Sequence, residues 1–261
     1  AYFNIAPTAT GTLVTNVGGH GDVLTNMASL VSTCHANDVK VLICIGGASA
    51  APDTTWREAI GATYRATFVA NLVDFVATWN LDGIDLDWEP FDTESDGTNF
   101  ATFISDLRTA LPVGKEITMY IGGTGTYQSW KRTFANTVEA NIDSFGLSTY
   151  DYSYSESNAV YDSPLYHVTG QSTGSSADEA TDNYLAAGVA ASKLSIGVPF
   201  YGVRWTGATT IFQAVTPNNF TNVTYKEISD AGGGGSGNPP TDEVYDSVAK
   251  YSYNTTTALT T

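Results

Sequence analysis

Short apolar runs alternate with helix-period segments along most of this chain, and that alternation limits what it can fold into. Runs of strand character lie at 1–6, 41–45, 83–88, 117–121, 145–150 and 194–200. Between them, Val23, Leu24, Met27, Leu30 and Val31 repeat along one helix face. Phe68, Val69, Leu72, Val73 and Val76 do the same, as do Phe100, Phe103, Ile104 and Leu107. Asp22 and Asp178 are placed to cap or charge helix N-termini. Strand alternating with helix predicts an α/β fold on a parallel sheet. An open doubly wound sheet and a closed barrel fit the pattern equally.

The 261 residues are 42% hydrophobic, enough to bury a sizeable core. The stretch 230–240, with Gly232 to Gly235 in a row and Pro239-Pro240, reads as a surface loop because too few residues follow it for a second domain. Residues 1–261 are therefore expected to form a single domain. Acidic residues outnumber basic ones by 27 to 11, giving a net charge of −16. Such a surface repels nucleic acid phosphates and anionic membranes, so neither partner is expected. No apolar run approaches the roughly 18 residues of a membrane span. Cys34 and Cys44 are too few for a disulfide scaffold or a zinc site; free thiols are expected, with one bridge as the alternative. With neither an initiator Met nor a signal peptide, the chain is expected to be processed, trimmed or a fragment.

The segment Asp82-Gly83-Ile84-Asp85-Leu86-Asp87-Trp88-Glu89 carries the most chemistry. In an extended strand, Asp85, Asp87 and Glu89 share one face while Ile84, Leu86 and Trp88 share the other. Crowded carboxylates cannot all ionise easily, so part of the cluster should hold protons at neutral pH, as a general acid requires. Pro90 ends the strand directly after Glu89. Three readings stay open on the residues alone: an acid–base site, an oxygen-ligand site for calcium or magnesium, and a structural carboxylate network.

Asp82-x-x-Asp85-x-Asp87-x-Glu89 resembles the Asp-x-x-Asp-x-Asp-x-Glu signature of glycoside hydrolase family 18, the chitinase family. Val41 to Gly47 is similar to the family's third strand, Ser148-Thr149-Tyr150-Asp151 to its Met-x-Tyr-Asp sixth strand, and Leu194 to Gly202 to its seventh. Cys44 stands where the family prefers Ser, and Ser148 where it prefers Met. The resemblance implies a TIM (β/α)8 barrel. Counting strands from the signature leaves the second to seventh present and the first and eighth missing, so the expected fold is an incomplete, open six-stranded barrel.

The resemblance also implies a function: endo-acting hydrolysis of chitin, the β-1,4-linked N-acetylglucosamine polymer, by a substrate-assisted retaining mechanism. Glu89 protonates the glycosidic oxygen and later activates water. Asp87 holds the acetamide N–H, Asp85 shares a proton with Asp87, Tyr150 binds the acetamide oxygen, and Asp151 contacts the sugar. Asp82 supports the strand. Tyr201 and Trp205 are the aromatic candidates for stacking on sugar rings, with Trp56 and Trp130 behind them, while Trp88 packs on a helix. No metal or cofactor is implied. An endo-β-N-acetylglucosaminidase is the alternative within the family, and a chitin-binding lectin the alternative outside catalysis. The expected protein is a secreted, extracellular monomer, with Asn219, Asn222 and Asn254 as glycosylation acceptors. His20, His35 and His167 carry no motif and are read as surface or structural residues.

Overall fold

A computed structural model describes residues 2–17, 23–48, 50–89, 91, 93–123, 129–208, 210–224, 243–246, 251–254 and 259–260. His20, Asp22, Pro90 and the loop 230–240 lie outside the described residues, as do two positions of the Asn254 glycosylation motif. The chain divides into two compact units, 1–121 with 129–146 and 189–193, and 122–128 with 147–188 and 194–261.

The first unit is built from β1 (Tyr2–Pro7), β2 (Leu13–Val14), α1 (Leu24–His35), β3 (Leu42–Gly46), α2 (Asp53–Ala59), α3 (Arg65–Thr78), β4 (Gly83–Asp87), α4 (Glu94–Ala110), β5 (Glu116–Gly122), α5 (Ser129–Val138) and the start of β6 (Ser144–Ser148). β1, β3, β4 and β5 pair in parallel, with Cys44 opposite Asp85 and Asp85 opposite Thr118. Every residue of β3 is buried, as a parallel strand covered on both faces requires. The helices supply that cover. α3 buries Phe68, Val69, Leu72, Phe75 and Val76, and α4 buries Phe100, Phe103, Ile104 and Leu107. Each such side chain removed from water contributes about 1.5–3 kcal/mol. α4 starts where the Thr93 hydroxyl accepts from the Asp96 N–H, with Glu94 and Asp96 in the first turn complementing the helix dipole.

The second unit holds the end of β6, α6 (Ala177–Ala186), β7 (Leu194–Ile196), β8 (Tyr201–Trp205), β9 (Phe220–Thr224), β10 (Glu243–Asp246), β11 (Tyr251–Asn254) and β12 (Leu259–Thr260). Its own sheet is antiparallel, in the order β10-β11-β12-β8-β9. α6 opens on a capping box in which the Ser176 hydroxyl accepts from the Glu179 N–H; Asp178 lies in its first turn without being the cap.

All six expected strands form, as β1 and β3 to β7, in a sheet ordered β2-β1-β3-β4-β5-β6-β7. Among the described residues that order is open at β2 and β7, which makes the fold an incomplete TIM-type barrel. Among the described residues, β10, β11 and β12 join the second sheet and none of them supplies an eighth barrel strand. β7 stops at Ile196, four residues short of the expected run. The antiparallel sheet had not been anticipated at all. Both cysteines are free, with Cys44 buried and Cys34 only half-buried. No helix among the described residues is long and apolar enough to cross a membrane.

Candidate active site

In β4 the alternation works as the sequence dictates. Ile84 and Leu86 turn into the core and are fully buried. The carboxylates occupy the other face, where the Thr118 hydroxyl on β5 donates to Asp85. Asp87 is 4% exposed, and the Cys44 thiol on β3 lies 4.0 Å from its Oδ2. Glu89, half-buried just past the strand, hydrogen-bonds Asp87. Burial, then the charge of Glu89, the hydrogen bond to it and the charge of Asp85 together push the Asp87 carboxyl up to about 8. Asp87 Oδ1 is buried without a hydrogen-bond partner. The same burial and the neighbouring carboxylates push the Cys44 thiol up, so it stays protonated. A proton held by the buried Asp87 beside the half-buried Glu89, with an unsatisfied acceptor at Asp87 Oδ1, is an arrangement for acid catalysis.

Trp88 faces away from the acids. It stacks on Trp56 with ring centroids 5.3 Å apart, meets Phe100 edge-on, and donates its indole N–H to Asp53 at 2.9 Å. Arg57 grips both oxygens of Asp96 at 2.8 and 2.9 Å and reaches Asp53 at 3.3 Å, joining α2 to α4 behind Trp88. Asp82 has the supporting role expected of it. Burial alone would raise its carboxyl, but the Val41 N–H and His35, at 2.7 and 2.8 Å, outweigh that and hold it low.

In the second unit, Asp151 has a left-handed backbone (φ 61°), and its Oδ1 accepts from the Tyr201 hydroxyl at 2.6 Å. Burial and that bond raise the Tyr201 hydroxyl, so it remains a donor. Tyr150 is half-buried beside Gly197, where an added Cβ would lie 2.7 Å from the Tyr150 ring. The Ser148 hydroxyl is buried and accepts from the Gly123 N–H at 3.1 Å.

Trp205 must be corrected. It is 2% exposed, donates its indole N–H to the Val160 carbonyl at 3.2 Å and packs edge-on against Phe220. Its faces belong to the core with Val160 and Val203, so none is left for a sugar. Trp56 is core too, at 1% exposure. Trp130, half-buried at the start of α5, meets Phe91 edge-on at 5.1 Å. His35 and His167 pair with Asp82 and Glu179. Sequence reasoning missed Asp162, a fully buried carboxylate; its signal was an acid directly after the apolar run Ala159-Val160-Tyr161.

An incomplete α/β barrel with crowded acids at the end of its fourth strand defines a class, the barrel glycosidases. The profile of glycosyl hydrolases family 18 matches residues 1–260. Chitinase A1 of Niallia circulans is 31% identical over 199 residues, covering 65% of this chain and 27% of that protein. Endochitinase 1 of Metarhizium robertsii is 27% identical, covering 84% of this chain and 54% of that one. The crystal structure of Ostrinia furnacalis Group IV chitinase in complex with allosamidin matches with a TM-score of 0.82 at 22% identity, covering 99% of this chain and 75% of that one. This chain belongs to glycosyl hydrolase family 18. It spans about half, or less, of the length of these two curated relatives.

Proposed function

We propose that this chain is the catalytic part of a chitinase that cleaves β-1,4-linked N-acetylglucosamine polymers internally, with retention at the anomeric carbon. The observation that carries the reading is the buried Asp87, hydrogen-bonded to Glu89 and still protonated near neutral pH. Relatives named as chitinases support the substrate class.

Glu89 gives its proton to the glycosidic oxygen as the bond to the anomeric carbon breaks. The substrate's acetamide oxygen attacks that carbon and closes an oxazolinium ion. Asp87 Oδ1 accepts the acetamide N–H and stabilises the developing positive charge, with Asp85 and its Thr118 hydrogen bond tuning the shared proton. Glu89, now a carboxylate, takes a proton from the water that opens the ring. Tyr150 binds the acetamide oxygen, and Asp151 and Tyr201 bind the sugar. The nucleophile comes from the substrate, so the chemistry needs no metal or cofactor. Residues 1–261 act as one catalytic domain, as a monomer, outside the cell where the polymer lies. The net charge of −16 leaves neither nucleic acid nor anionic membranes as partners.

The test is product analysis. Incubation with chitohexaose should yield shorter oligosaccharides whose new reducing ends are first seen by NMR as the β-anomer. Cleavage confined to N-glycan cores would replace this reading with an endo-β-N-acetylglucosaminidase. Binding of chitohexaose without cleavage would replace it with a lectin.

A further inference from the structure

Asp162 takes no part in the reaction just described, yet among the described residues of the second unit it is the only buried carboxylate. Burying a carboxylate is costly unless something compensates it. Neither oxygen has a partner in good hydrogen-bond geometry, and the Ser153 hydroxyl beside it is equally unsatisfied. The donors it faces are the backbone N–H groups of Asp151 and Ser153 and the Ser153 hydroxyl.

Those donors belong to an unusual turn. Asp151 sits at φ 61°, a left-handed conformation that a non-glycine residue adopts at an energetic cost. A left-handed residue within a turn swings successive N–H groups toward one side, making a concave surface that attracts an anion. The Asp162 carboxylate is the buried anion beside that turn. From its main chain, the Asp162 carbonyl also accepts the Tyr152 N–H at 3.1 Å. Asp162 is itself fixed by its neighbour. Gln171, buried, takes the Tyr161 N–H at 3.1 Å and donates to the Tyr161 carbonyl at 2.8 Å.

We propose that Asp162 is a positioning residue, holding the left-handed turn at Asp151 so that the Asp151 carboxylate and the Tyr201 hydroxyl are aimed before the sugar binds. This rests on the reading that Asp151 and Tyr201 contact the sugar.

The experiment uses the whole chain and a fluorogenic chitooligosaccharide, with Asp162→Ala, Asp162→Asn, Asp151→Asn and the double variant Asp162→Ala/Asp151→Asn. Asp162→Ala should raise KM about tenfold or more with a smaller change in kcat, and Asp162→Asn, which keeps an acceptor oxygen, should recover most of that loss. In the double variant the two losses should not multiply, because both act through one carboxylate. A parental KM in Asp162→Ala, or losses that multiply, would overturn the proposal. If Asp162→Ala does not fold, Gln171→Ala loosens the same clamp and should show the same non-multiplying rise in KM. If the parent chain cleaves no chitooligosaccharide, it is the proposed function that fails. The positioning role is then decided by a crystal structure of Gln171→Ala. It survives if Asp151 departs from φ 61° or the 2.6 Å bond to Tyr201 lengthens in Gln171→Ala, and falls if both are unchanged there.

Discussion

The backbone N–H of Gly47 donates to the carbonyl oxygen of Asp87 at 2.7 Å, tying the end of β3 to the residue that carries the acidic pair. The approach is possible only because Gly46, in register with Asp87, has no side chain. Its φ is +112°, and a Cβ there would lie 1.9 Å from the Asp87 carbonyl oxygen. Gly46→Ala should therefore destabilise the chain by about 3 kcal/mol or more, read by chemical denaturation, and remove activity with it. A variant with parental stability would show that β3 and β4 do not need this contact.

Asp87 titrates far above the ordinary carboxylate value of 3.8, at about 8. The folded chain therefore holds a proton there that the unfolded chain has lost, and stability should fall as pH rises from about 4 to about 8. Asp87→Asn, which cannot ionise, should flatten that part of the stability–pH curve. It should also lower kcat by roughly 10²–10³, the scale of losing one preorganised charge-stabilising group. In the parent, kcat should decline above pH 8 as the shared proton leaves. An unchanged stability–pH curve in Asp87→Asn would place that titration elsewhere.

The Arg57–Asp96 pair is a matter of stability. The Asp96 carboxyl is lowered even though burial opposes this, because the Arg57 guanidinium and the Thr93 cap favour its charged form. A depressed carboxyl contributes stability above the unfolded-state value and loses it as pH falls through the folded one. Asp96→Ala should cost about 1–3 kcal/mol at pH 7, toward the lower end because Arg57 is partly solvated, and the difference from the parent should shrink in acid. A difference that persists at pH 2 would assign the effect to packing.

Much of this site could be read from the amino-acid order. The acidic strand was legible because Ile84, Leu86 and Trp88 alternate strictly with Asp85, Asp87 and Glu89, and only a strand separates such a pattern into two faces. The helices of the first unit were legible from the spacing of Phe68 to Val76 and of Phe100 to Leu107. The antiparallel sheet was not, since β8 finds its partner β12 more than fifty residues along the chain, with Val203 opposite Thr260. A two-residue strand such as β2 is too short for any period to show. Trp205 was misread because a tryptophan following a barrel strand looks the same whether it meets a pyranose ring or, as here, Phe220. Asp162 went unnoticed because its role lies in the turn it faces, and the φ of Asp151 leaves no mark on composition.

In the proposed mechanism the acetamide of the substrate supplies the nucleophile, so incubation with EDTA followed by gel filtration should leave the hydrolysis rate within about twofold of the untreated chain. Loss of activity that returns on adding calcium or magnesium would point instead to a metal-dependent hydrolase.

The most direct measurement is the rate at which the parent chain and Glu89→Gln release a fluorescent leaving group from a chitooligosaccharide. Glu89→Gln keeps the shape of the side chain but has no acidic proton to give. The parent should turn over, and the variant should lose about 10²–10⁴-fold in rate. Equal rates in the two proteins would contradict the role proposed for Glu89.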